Sequence, residues 1–245
     1  MRLASTEAGP LACAAADGRH VHRVGYAPVP WGWTPWQYAE NGVFSGRWDD
    51  PVGRWRTLYV GDTRLACFLE VLAPFRPDPA IAEELAVIDV EAGDAALYPT
   101  AAAGSLPISW LVPRLVGEAI LTGWYAIPGN KESLPTLRQH FHAQAIRLRL
   151  PDVDAAAIRL AEPREFTQSV AAWIYLQESP DLEDGPLAGV QFESRHGDDL
   201  LLWAIFERPD DGDSSSRLTA SASERIDIDD PSLCHAMRLH RLSWA

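Results

Sequence analysis

Four side chains, far apart in the chain, are of the types that a nucleotide–sugar site would use. Arg47 lies in a Gly-Arg-Trp turn, Tyr59 in the short apolar run RTLYVG (56–61), Glu70 in the segment that follows it, and Ser194 at the end of LAGVQFES (187–194). A planar guanidinium matches phosphate oxygens. A tyrosine ring offers a stacking face, and Glu70 adds a lone carboxylate. Ser194 adds a hydroxyl just before a second arginine, Arg195. Each residue also has an ordinary structural reading: Arg47 as a surface ion pair with Asp49 or Asp50, Tyr59 as core, Glu70 as solvated helix surface, Ser194 as a turn former.

Other chemistries are disfavoured by what the sequence lacks. There is no GxGxxG after a strand, no GxxxxGK[ST], no HExxH and no GxSxG. His20-x-His22 and His140-x-His142 could each set two imidazoles on one strand face, but no further ligands stand at a workable spacing, so no metal site is expected. Ser194-Arg195-His196 places a hydroxyl near an imidazole. Neighbours in a turn rarely face each other and no orienting acid is indicated, so a hydrolytic triad is not expected.

The elements that must position these residues can be read along the chain. Residues 1–19 read as a loose tail. A first strand starts near Val21, and 28–55 are loop-like. A strand at 56–61 leads into a helix capped by Asp62 or Thr63 and ended by Pro74. In that helix Leu65, Phe68, Leu69 and Leu72 form the apolar stripe. Glu70 falls on another stripe with Ala66 and Ala73, where small side chains leave room for a ligand. Further expectations are a strand over 84–91, a helix over 113–126 and a strand over 144–150, with AAIRL as a candidate strand after it. A helix is expected from about Arg164 to Gln177, then strands over 187–194 and 200–208, a polar loop or insertion at 209–232, and a closing edge strand. Strands and helices mix without a regular βαβ rhythm, which indicates an α+β fold of one mixed domain over 20–245.

Composition bounds the partners. The formal net charge is −13, which argues against nucleic acid, whose binding needs a basic stripe, and against an anionic membrane surface. Against that field, residues 44–76 hold five arginines (47, 54, 56, 64, 76) and four acids (Asp49, Asp50, Asp62, Glu70), a local balance of +1. Such a segment offsets a field that would repel an anionic ligand. Three cysteines with no CxxC fit a reducing cytoplasm. Glu7, Gly9 and Pro10 interrupt any leader-like run, and 106–128 is too interrupted to span a bilayer. Ten tryptophans suggest that some line a groove.

At these same residues the sequence resembles the RES domain family, named for its Arg, Glu and Ser. The segment 46–78, GRWDDP…WRTLYVGDTRLACFLEVLAPFRPD, is similar to the family's first block, and 188–206, AGVQFESRHGDDLLLWAIF, to its later block. The helix at 166–176 stands between them, and His22-Arg23-Val24 resembles the family's opening arginine. Asp49 stands where many members have Asn, and Phe192-Glu193 where an aromatic and often Pro are usual. The resemblance implies an ADP-ribosyltransferase-like fold of central sheets with flanking helices. It implies an enzyme that consumes NAD+ as substrate, with no other cofactor, by cleaving the nicotinamide–ribose bond. As a glycohydrolase it would use water as acceptor, and as a phosphorylase inorganic phosphate. It implies Arg47, Tyr59, Glu70 and Ser194 as the catalytic set, with Arg23, Arg47, Trp48, Tyr59 and Arg195 binding the nucleotide. Several members are toxins neutralised by a helix-turn-helix antitoxin, which is the partner the resemblance implies. An ADP-ribosyltransferase acting on a protein or small molecule, and a non-catalytic nucleotide-binding or interaction module, are the alternatives. The oligomeric state is left open.

Overall fold

The computed structural model describes residues 1–78, 80, 83, 103–160, 162–181 and 184–245 of the chain, and the strand expected over 84–91 lies outside them. The fold is α+β. Nine strands form one sheet: β1 (Arg2–Thr6), β2 (Gly9–Ala15), β3 (Arg19–Tyr26), β4 (Thr57–Gly61), β6 (Arg114–Leu121), β7 (Trp124–Ala126), β8 (Gly189–Ser194), β9 (Gly197–Phe206) and β10 (Leu218–Arg225). Their order is β1-β2-β7-β8-β9-β4-β3-β6-β10. Only β7 and β8 run parallel in it. Two short strands, β5 (Ser105–Leu106) and β11 (Ser243–Trp244), pair separately.

The helices are α1 (Arg64–Leu72), α2 (Leu134–Arg147), α3 (Ala155–Arg159), α4 (Arg164–Tyr175) and α5 (Pro231–His240). Alternation along β9 shows how they are layered. Ala204 and Phe206 join a core with α2, α3 and α4, through residues such as Phe141, Ile158 and Phe166. Leu200 and Leu202, on the same face, join a second core with Phe68, Leu72, Leu233 and Met237 of α1 and α5. Trp203 and Ile205 point the other way, to a third core with Trp31, Trp33 and Leu58. One face of the sheet thus carries two separate helical layers with a valley between them. Phe192 packs against both.

The sheet is weakest where the valley lies. β3 and β4 share a single residue pair, His22 with Gly61, while β3 pairs with β6 along its whole length and β4 with β9 along its own. Beyond that pair β3 and β4 part. The Arg23 guanidinium enters the opening and donates to the carbonyls of Tyr59 (2.9 Å) and Pro30 (2.8 Å). Backbone groups that lost a strand partner there gain a charged donor instead, and buried backbone carbonyls require one.

Several expected elements differ. The tail over 1–19 is a β1–β2 hairpin joined to the sheet through β7. It is anchored by Thr136 Oγ1 donating to Pro10 O (2.7 Å) and by Ala12 N donating to Ser133 Oγ (3.0 Å). The helix expected over 113–126 is β6 and β7: its backbone bonds to β3 on one side and β10 on the other, and its apolar residues fit either period. The strand expected over 144–150 is the end of α2, where Leu137, Phe141 and Ala145 make a buried i, i+4 stripe. AAIRL is the helix α3. The loop expected over 209–232 contains β10, an edge strand with seven of its eight residues exposed, which strips it of any apolar signal. The closing segment is mostly helix, α5, capped by Asp230 Oδ1 accepting from Ser232 N (2.8 Å) and Leu233 N (3.1 Å).

Candidate active site

α1 starts where Thr63 Oγ1 accepts from Ala66 N (3.1 Å), and it buries Phe68, Leu69 and Leu72. That fixes its rotation. Glu70 is turned out of the core and over the valley, half-buried beside Cys67 and Val71. Ser194, at the end of β8, donates to Glu70 Oε1 at 2.6 Å and accepts from His196 N at 2.9 Å. The serine is 1% exposed. It therefore sits beneath the carboxylate and fixes it, its one O–H donor committed within the protein.

Arg47 is placed by a different mechanism. The loop 44–49 folds over the start of β4 and closes on itself. Gly46 N donates to Asp49 Oδ2 (2.5 Å), Tyr59 Oη donates to Asp49 Oδ1 (2.8 Å), and Trp48 N donates to Tyr59 Oη (2.9 Å). A Cβ at Gly46 would lie 2.5 Å from both Asp49 Oδ2 and Tyr59 Oη, so glycine is required for this internal closure. α4 holds the loop from outside: Gln168 Nε2 donates to Gly46 O (3.0 Å) and Arg164 Nη1 to Ser45 O (2.6 Å). Burial raises the Asp49 carboxyl above its usual range. Burial and the Asp49 charge push the Tyr59 phenol well up, so it stays a donor. The Arg47 guanidinium projects from this loop to 5.6 Å from the centre of the Phe192 ring. It has no carboxylate salt bridge among the described residues.

These groups meet in one cleft of about 600 Å³. Arg23, Arg47, Arg164, Arg195, Tyr59, Phe192 and His196 line it, and Glu70 is its sole lining acid among the described residues. An acidic chain thus presents a cationic cavity. Of the five arginines in 44–76, Arg54 pairs with Asp50, Arg56 with Glu207, and Arg64 with Glu224 and Asp230. Only Arg47 of that set lines this cleft. Such a site suits a ligand with a pyrophosphate-like anion at one end and an electron-poor centre facing the carboxylate at the other.

The placement of each candidate is as follows. Arg23, Arg47, Tyr59, Glu70 and Arg195 share the cleft. Trp48 does not: it is fully buried and packs in the core beneath the loop, 5.7 Å from the Phe192 ring. Ser194 stands behind Glu70 rather than on the cleft wall. Among the described residues no tryptophan lines this cavity, and Tyr59 and Phe192 supply its aromatic faces. Three lining groups were not singled out in the sequence as binding residues: Arg164, Phe192 and His196. Arg164 looks like an ordinary helix-terminus cation, and Phe192 follows strand alternation. His196 Nδ1 lies 3.3 Å from Arg76 Nη1. Arg only donates, so that contact calls on the Nδ1 lone pair, while Nε2 is buried with no hydrogen-bond partner among the described residues. Burial lowers the His196 pKa, so the ring is neutral near pH 7.

Two further groups are excluded as reactive centres by their environment. Burial pushes the Cys67 thiol up to about 12, and its Sγ lies 3.0 Å from His22 O. It stays protonated and is no nucleophile. His140 and His142 lie on α2, not on a strand, so their side chains diverge around the helix. Among the described residues no cluster of three or more His, Cys, Asp or Glu could hold a metal ion, and no helix is long and apolar enough to cross a membrane.

Comparison with known proteins agrees on the region. Residues 20–126 match the family model of the RES domain, a span that includes Arg23, Arg47, Tyr59 and Glu70. No curated protein matches the chain. Among solved structures, the M. tuberculosis MbcT-MbcA toxin-antitoxin complex aligns at a TM-score of 0.44 and 12% identity, over 91% of this chain and 90% of that one.

Proposed function

We propose that this protein, with a RES domain match over residues 20–126, cleaves the bond between nicotinamide and ribose in NAD+, with water or inorganic phosphate as acceptor. The observation that carries the reading is one carboxylate, Glu70, held by a buried serine at 2.6 Å in a cleft where the other charged lining groups among the described residues are four arginines.

The chemistry fits that arrangement. As the C1′–N bond breaks, its electron pair neutralises the pyridinium, so the leaving group needs no proton. Positive charge then appears on the ribose as an oxocarbenium ion, as in glycoside cleavage. Glu70 lies ready to stabilise it. Because Ser194 already fixes the carboxylate, little reorganisation is needed when the charge develops. Arg47, on its closed loop and against Phe192, holds the pyrophosphate, with Arg164 and Arg195 sharing the charge. Water or phosphate attacks C1′, and with water as acceptor a proton leaves as the new C–O bond forms. Tyr59 is engaged by its hydroxyl with Asp49 and Trp48 N, so its contribution is the ring wall and the rigidity of the Arg47 loop. Arg23 joins the sheet halves at the floor. It stays charged although burial lowers its pKa to about 10.

The test is nicotinamide release from NAD+. Glu70→Gln keeps an acceptor for Ser194, so it should fold and lose roughly 100- to 1000-fold in kcat, the usual effect of removing one preorganised electrostatic stabiliser. Wild-type turnover that survives this change would refute the assignment. Addition of inorganic phosphate identifies the acceptor: ADP-ribose 1″-phosphate replaces ADP-ribose if phosphate is used. Label retained on a macromolecule would instead make the protein a transferase. As the toxin of a toxin–antitoxin pair, which the RES resemblance suggests, the protein should deplete cellular NAD+ on expression and Glu70→Gln should not.

A further inference from the structure

A second, smaller cavity of about 170 Å³ adjoins the cleft and shares Arg47 and Phe192 with it. We propose that it binds the adenine base, so that the dinucleotide bends around Arg47 with nicotinamide at Glu70 and purine on the far side. The inference rests on the dinucleotide reading above and assigns the half of the ligand that the chemistry leaves unplaced.

Size is the first argument. At about 30 Å³ per water, the cavity has room for some five or six waters, which suits one flat bicyclic base and not a nucleotide.

The wall chemistry is the second. Ile127, Ile158 and Leu201 supply apolar surface, which a base's faces require. Gln191 also lines the cavity, and its side-chain amide has no hydrogen-bond partner among the described residues. A carboxamide carries a donor and an acceptor side by side. That pair matches the 6-amino group and N7 of adenine.

The third argument is a free strand edge. β7 pairs with β8 only at Gly189 and Val190 and ends at Ala126. From Gln191 to Glu193, β8 has β9 on one side and, among the described residues, no strand on the other. Alternate backbone N–H and C=O groups of this stretch are directed to the open side, where the cavity lies. A purine edge could satisfy them as a strand would. Arg159, paired with Glu193 and with Asp198 (3.0 Å), closes the rim.

The position of Arg47 ties the two cavities together. Arg47 lines both, so the pyrophosphate of a bent dinucleotide would pass beside it. Only a ligand with an anionic link between two ring systems uses both chambers at once.

The experiment is isothermal titration of the intact chain with AMP, IMP and ribose 5-phosphate. IMP replaces the 6-amino group by a carbonyl, which puts two acceptors where the amide offers one donor and one acceptor. AMP should bind, and IMP at least about fivefold more weakly, from the lower end of paired base-edge recognition. Gln191→Ala should abolish that difference. Ala155→Trp, at a half-exposed position on the cavity wall, should weaken AMP about tenfold and leave ribose 5-phosphate unchanged. Circular dichroism checks that both variants fold. The inference is overturned if AMP does not bind at millimolar concentration, or if both folded variants bind AMP as the wild type does. NAD+ cleavage by a protein indifferent to AMP would sink this inference and spare the catalytic reading. The expected AMP pattern in a protein that never cleaves NAD+ would do the reverse.

Discussion

Replacing Ser194 by alanine separates two roles that its place in the motif cannot distinguish. The hydroxyl donates to Glu70 at 2.6 Å and accepts from His196 N at 2.9 Å, and it is buried. A hydrogen bond to a charged group contributes about 1.5–3 kcal/mol, and an orphaned buried N–H costs about 1–3 kcal/mol. If the first loss appears only when positive charge develops on the ribose, kcat falls roughly 10- to 100-fold, since each 1.36 kcal/mol is tenfold. KM should change by less than about twofold, because Ser194 stands behind Glu70 and not on the cleft wall. The second loss should appear as stability, lowering the unfolding free energy by about 1–2 kcal/mol. Steady-state nicotinamide release over a range of NAD+ concentrations gives the kinetic split, and urea denaturation gives the stability. An unchanged kcat with a large rise in KM would show that Ser194 contacts the ligand directly. That result would refute the support role argued from the geometry.

Two other perturbations follow from the same structure. In Gly46→Ala the new methyl meets the Asp49 carboxylate and the Tyr59 hydroxyl at 2.5 Å. Overpacking of this kind costs about 1–3 kcal/mol, and a lowered Tm together with a raised KM should result; an unaltered KM would mean the loop does not position Arg47. Burial holds the folded-state pKa of His196 below its unfolded value. Its contribution to stability is thus present above the unfolded value, near 6.5, and is lost as pH falls through the folded value. His196→Gln should therefore show a smaller loss of stability between pH 7.5 and 5.5 than the wild type. Parallel pH curves in urea denaturation would contradict this.

Much of the site was legible along the chain because its residues lie in strongly patterned segments. The β4–α1 unit has a short apolar strand, a Thr63 cap and a helical stripe that leaves Glu70 off the core face. The β8–β9 hairpin has alternating residues and a tight turn. Such local signals reflect hydrogen bonding and periodicity within a few residues. The errors fell where local pattern is ambiguous. LVGEAIL fits both a helix and a strand, and its fate was decided by β3 and β10 on either side. β10 is nearly all exposed and carries no apolar period. The N-terminal hairpin is recruited by a remote partner, through Ser133 and Thr136.

The sequence by itself determined the chemical inventory: a guanidinium, a phenol, a carboxylate and a hydroxyl, with arginines enriched where the whole chain is acidic. Tertiary structure decided where each one sits. Burial turned Trp48 into core and Ser194 into a support for Glu70, and three of the five local arginines were taken up by ion pairs. Parting of β3 from β4 opened the cleft, and α4 brought Arg164 to it from more than a hundred residues away. Spacing along a chain constrains neighbours within a turn or a strand. Which groups share a low-dielectric cavity depends on the packing of distant elements.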